Sequence, residues 1–262
     1  MGDSEPSSSP GVGSALEQLL LRVVPGLAGA WRGAAAADID RLEGIAGRPL
    51  PPLYRWFQEH LGASMGPMSY PTLDFSASAI LASYTSGRMQ PHPRYLLIAY
   101  DDDDITPAHY FYDLDRPARD DALVLRMLTP HDEPHEQLEQ FETLREMLAW
   151  GELWTQRVER APQRLRGSLR APDADLHGRL GSALRGLGFD TPIETGAFCG
   201  LYERADAVLV CSSAPDAEPG VQSFSLGGLD AGQLARISSA IADAAVEVTP
   251  SAWLPPLPTS AE

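Results

Sequence analysis

The chain contains no lysine and no asparagine; all twenty of its basic side chains are arginines. Without lysine, Schiff-base catalysis by a side-chain amine is excluded. Only two cysteines are present, Cys199 and Cys211, too few for a disulfide framework and without the paired spacing of a zinc site. That usage fits a reducing, cytoplasmic setting. No apolar run approaches the ~18 residues of a membrane span, and no basic stretch precedes the first apolar one, so no secretory signal is expected. Positive charge is scarce too. Against 36 acids, the twenty arginines leave a formal charge of −16, which opposes a role at nucleic acid or an anionic membrane, since affinity there comes from cations. Known catalytic signatures are missing as well: no Gly-x-Ser-x-Gly elbow, no phosphate loop ending in Lys-Ser/Thr, no His-Glu-x-x-His.

What is present is a globular composition, 44% hydrophobic over 262 residues, enough for one large core or two small ones. Residues 1–13, rich in Ser, Pro and Gly, read as a tail, as do the Pro-rich residues 251–262. Leu16, Leu19, Leu20, Val23 and Val24 recur at helical spacing, and Pro25-Gly26 closes that run, so a helix is expected over residues 14–24. Ile39, Leu42 and Ile45 or Ala46 form a second stripe ending at Gly47. Pro52 opens a third helix whose face carries Leu53, Trp56, Phe57 and Leu61, with Gly62 suited to a left-handed cap. Three helices are therefore expected before any strand, while Ile80–Tyr84 fits helix or strand. Tyr95–Tyr100, His109–Leu114 and Ala122–Leu128 read as antiparallel strands, and the spacing of Leu138, Phe141, Leu144 and Leu148 predicts one closing helix.

A second unit, residues 159–250, reads as strand (165–169), helix (174–187), three strands (197–202, 208–212 and 223–226) and a helix (231–245) opened by Asp230 and Gln233. The fold class expected is α+β: an antiparallel sheet packed with helices over residues 14–158, then a smaller two-layer β-α-β-β-β-α sandwich.

The first unit resembles the SUKH superfamily of cell-wall-synthesis regulators and bacterial toxin-immunity proteins. The resemblance covers about residues 15–153 and lies in three stretches, Ile39-Asp40-Arg41-Leu42-Glu43 with Gly47-Arg48-Pro49-Leu50-Pro51-Pro52-Leu53-Tyr54-Arg55-Trp56-Phe57; Tyr95 to Asp101 with Tyr110-Phe111-Tyr112-Asp113-Leu114; and Phe141 to Leu148. It implies a non-enzymatic protein that neutralises a cognate toxin by occlusion, with Tyr54, Trp56 and Phe57 in the core. Four consecutive aspartates stand where the family often has glycine after its first central strand.

Those aspartates belong to the densest charge in the chain. Between residues 101 and 142 lie thirteen acids and three arginines. Asp101, Asp102, Asp103 and Asp104 fall at an expected hairpin tip, where like charges repel unless solvent or a cation screens them. A calcium loop needs alternating ligands, a central Gly and a distal Glu, a pattern not met here. A solvated face and a surface for a basic protein, such as a nuclease toxin, both remain open. Under the second, Asp101–Asp104, Asp113 and Asp115 are the partner-binding candidates. His131 and His135 have metal-like spacing, but Pro134 interrupts the helix that would align them; His60 reads as a structural histidine, and both cysteines as small buried hydrophobes. No cofactor or metal is expected, and the partner is a protein, either a toxin or the client of a scaffold whose second unit mediates dimerisation or a further contact.

Overall fold

The computed structural model describes residues 11–68, 70, 72–103, 107–131, 136–173 and 175–255. Helix α1 (Ser14–Val23) buries Leu16, Leu19, Leu20 and Val23, the spacing expected of one apolar face. Its N-cap, Gly13, lies inside the segment expected to be a tail, yet it is packed: φ is +81° and the Trp56 ring occupies the space a Cβ would need. A one-turn helix α2 (Leu27–Ala30) follows, so four helices rather than three precede the first strand among the described residues. Helix α3 (Ala36–Ala46) ends at left-handed Gly47. Helix α4 (Pro52–Leu61) has Pro at its first position, but Gly62 sits at φ −70° and stays right-handed, unlike the cap its sequence suggested.

Strand β1 (Leu73–Asp74), helix α5 (Ala77–Thr85), and strands β2 (Tyr95–Asp101), β3 (His109–Ala118), β4 (Asp121–Met127) and β5 (Leu138–Phe141) complete the first sheet, an antiparallel meander ordered β1-β2-β3-β4-β5. The ambiguous stretch at Ile80–Tyr84 is thus helical. Helix α6 (Leu144–Leu153) is shorter than expected. Thr143 is extended and its side chain accepts from the Glu146 amide, which starts the helix there and leaves Leu138 and Phe141 in a strand. Tyr54, Phe57 and Tyr112 are fully buried, with the Tyr54 and Tyr112 rings edge to face at 5.2 Å.

A π-helical turn (Trp154–Val158) leads from α6 to β6 (Gln163–Arg170), α7 (Leu176–Gly186), β7 (Cys199–Arg204), β8 (Ala207–Ser212), β9 (Val221–Gly228), α8 (Ala231–Asp243) and β10 (Glu247–Leu254). The second sheet is antiparallel, ordered β10-β6-β9-β8-β7. Strand β10 corrects the expectation of a tail from residue 251 and adds a final strand to the expected sandwich. It lies at the sheet edge, and its register shifts between Pro250 and Ala252, the setting in which a strand tolerates proline. Asp230 caps α8 by accepting from the Gln233 amide, while Gln233 Oε1 accepts from the Leu229 amide.

Each face of the second sheet has its own cover. Leu165, Leu169, Leu209, Phe224 and Leu226 pack with α7 and α8. On the opposite face, Cys199, Leu201, Val208 and Val210 join the core of the first unit, where α6 contacts β7 and β8. Helix α6 thereby serves both sheets. Separating them would expose these apolar side chains, each contributing ~1.5–3 kcal/mol when fully buried.

Candidate functional site

Strand pairing decides the fate of the six candidate aspartates. In the β2–β3 hairpin, Tyr95 lies opposite Asp113 at one end, while Asp101 ends β2 at the other, about 20 Å away by strand rise. At the first end, Asp113 is buried and accepts from Arg94 Nε at 2.9 Å and Nη2 at 2.7 Å. Asp115 is exposed but pairs with Arg48 Nη1 at 3.0 Å. These two carboxylates are matched by cations from the segments before α4 and β2.

The other end differs. Asp101 is buried, and its carboxylate accepts from the Asp103 amide at 3.1 Å and the Ala108 amide at 3.0 Å. Burial pushes its pKa up, but hydrogen bonds from Thr72, Ala108 and Asp103 outweigh that and hold it below the usual range. Its amide donates to His109 Nδ1 at 2.9 Å. Asp101 therefore organises the turn. Asp102 is exposed, its amide donates to the Thr72 carbonyl at 2.8 Å, and its carboxylate has no ion pair among the described residues. Asp103 is half-exposed, and Asp104 lies outside the described residues. The expected single acidic patch is thus divided, with Asp101 and Asp113 turned inward.

Asp102 borders a groove of about 300 Å³ between the segment after α4 and the β1–β2 edge. Asp74, opposite Tyr100 in the β1–β2 register, adds a second carboxylate to the lining. Asp74 Oδ1 accepts from the Ser76 amide at 2.8 Å, while Oδ2 has no partner among the described residues. Met65, Met68 and Tyr70 supply apolar wall, Ser64 and Thr72 supply hydroxyls, and no cation lines the groove among the described residues. Nothing in the sequence near Asp74 announced it; only the register of a two-residue strand places it there.

The remaining candidates resolve as structural groups. Cys199 pairs in register with Ser212, and Cys211 with Gly200, so the thiols lie on opposite sheet faces. Both are pushed up by burial, Cys211 to about 12, the reverse of activation. His60 donates from Nδ1 to the Trp56 carbonyl at 2.8 Å and stacks on that ring. His131 approaches His92 edge-on at 5.7 Å; Asp132, Glu133 and His135 lie outside the described residues. Among the described residues no three His, Cys, Asp or Glu side chains converge as metal ligands, and no helix is long and apolar enough to cross a membrane.

Four buried acids escaped sequence reasoning, Asp121, Glu146, Glu152 and Glu203. Asp121 accepts from the Ala122 amide at 2.9 Å and the Arg145 amide at 3.2 Å, yet burial raises its pKa to about 7. Glu146 accepts from the Gly196 amide at 2.6 Å across the junction of the two sheets, and burial raises its pKa too. Asp121 and Glu146 each accept from a distant segment, through the Arg145 and Gly196 amides, so no local pattern marks those contacts. No protein-family model matches the chain, and no curated protein matches it in sequence.

Proposed function

We propose that this chain is a non-enzymatic binding protein of the SUKH immunity type, acting in the cytoplasm to neutralise a basic protein toxin by occluding it. The observation that carries this reading is the Asp74–Asp102 groove, in which two carboxylates without cationic partners among the described residues border apolar wall at one hairpin end. Such a site meets a positively charged surface, while the formal charge of −16 speeds the encounter. The order of elements supports it as well: paired helices, an aromatic helix after a Leu-Pro turn, a central hairpin and a closing helix follow one another as the resemblance implies. The rigid shared core suits recognition by a preformed surface, which loses little entropy on binding.

The test is co-expression with toxin-type proteins encoded beside it in its genome. Restored growth together with a stoichiometric complex is the expected result. If no neighbouring toxin is neutralised and no complex forms, the immunity reading fails.

A further inference from the structure

We infer that the Asp74–Asp102 groove accepts a single arginine side chain of the partner, a deepening that rests on the protein-binding reading above. The argument starts from the two kinds of surface the groove combines. Met65, Met68 and Tyr70 give an apolar channel, and methionine adapts its shape to what enters. Asp74 and Asp102 place negative charge at the same groove, with Asp74 Oδ2 and the Asp102 carboxylate uncommitted among the described residues.

A side chain matching both surfaces has an apolar stem and a cationic head, which leaves arginine and lysine. The acceptors decide between them. A planar guanidinium presents five donors in a fixed fork and can serve two carboxylates lining one groove, with its face against an aromatic ring such as Tyr70. An ammonium is a compact point charge that satisfies one carboxylate well and the other poorly. A bare metal ion fits less well, since two carboxylates without a third ligand group do not make a cation cage. Within the molecule Asp113 and Asp115 are each met by arginine, Arg94 and Arg48, in a chain that has no lysine. The groove offers at its surface the chemistry the hairpin's other end uses internally.

The probe is N-acetyl-arginine amide, titrated into the full chain and followed by amide chemical shifts, with the neutral citrulline counterpart and N-acetyl-lysine amide as comparisons. Saturable shifts at Thr72, Asp74, Asp102 and Asp103 are expected with arginine, weaker ones with lysine and none with citrulline. Asp74→Asn and Asp102→Asn should each weaken binding about tenfold, the equivalent of one charge-assisted hydrogen bond. Asparagine at position 74 keeps an oxygen for the Ser76 amide, so the fold is not at stake. Equal shifts with citrulline, shifts confined to other regions, or no shifts at all would overturn the assignment. Growth rescue separates this inference from the one beneath it. If the double variant rescues cells as well as the parent does, the groove is not the contact although the protein-binding reading stands; if the parent does not rescue, that reading itself falls.

Discussion

The two ends of the β2–β3 hairpin carry the same residue type and use it in opposite ways. At one end Asp113 is sealed from solvent and gripped by Arg94, with Asp115 held by Arg48. At the other, Asp101 turns inward to fix the loop, while Asp102 faces solvent at the groove it shares with Asp74, with no cation in its lining among the described residues. Local charge density therefore says little about function. What matters is whether a carboxylate has already been matched within its own fold, because only an unmatched one has interaction energy to offer a partner.

Substitutions can break this contrast, beginning with the largest effect. Trp56→Ala sets the scale of a core loss: its ring packs on Gly13 and stacks on His60, and its removal should lower stability by ~3–5 kcal/mol in urea unfolding. Asp113→Ala should cost about 1–2 kcal/mol, because it removes a buried carboxylate that accepts from Arg94 and from the Asp115 amide, whereas Asp102→Ala should stay within ~0.5 kcal/mol of the parent. Equal losses at positions 102 and 113 would erase the distinction between the two ends.

A pH series sharpens it by setting Asp101 against Asp121. Both are buried, but their pKa values move in opposite directions. The folded-state pKa of Asp121 is raised to about 7, so its contribution is fully present below the ordinary range near 4 and is lost as pH rises from there toward 7. The folded-state pKa of Asp101 is depressed, so its contribution is present above the ordinary range and is lost as pH falls through the folded value. Unfolding free energies measured against pH should lose their decline between about 4 and 7 in Asp121→Asn, and part of their acid-side loss in Asp101→Asn. At neutral pH the latter should be ~1–2 kcal/mol less stable than the parent through its lost hydrogen bond. A parental pH profile in both variants would contradict these assignments.

Much of the fold is legible in the sequence, because helix faces and strand runs are local patterns. Leu16, Leu19, Leu20 and Val23 announce α1, and Pro52 with its aromatic stripe announces α4. The failures have physical causes. Leu138 and Phe141 sit at helical spacing from Leu144, but the Thr143 cap starts the helix after them. Pro255, Pro256 and Pro258 suggest a tail from residue 251, yet residues 252–254 still pair with β6 at the sheet edge. The candidate site was legible only in part. Strand alternation alone does not say that Asp113 meets Arg94, nineteen residues earlier, or that a two-residue strand delivers Asp74 to the groove that Asp102 lines. Those facts are tertiary.

The smallest expected effect on stability accompanies the most direct test of function. Association of the chain with its toxin partner, followed by stopped flow over a range of salt concentrations, compares the parent with Asp102→Asn and Asp115→Asn. The unmatched carboxylate should matter: Asp102→Asn slows association at low salt and flattens the salt dependence, while Asp115→Asn, whose charge is already met by Arg48, leaves the rate within experimental error. Identical salt slopes for the parent and Asp102→Asn, or a larger change at position 115 than at 102, would contradict the claim that the open end of the hairpin recognises the partner.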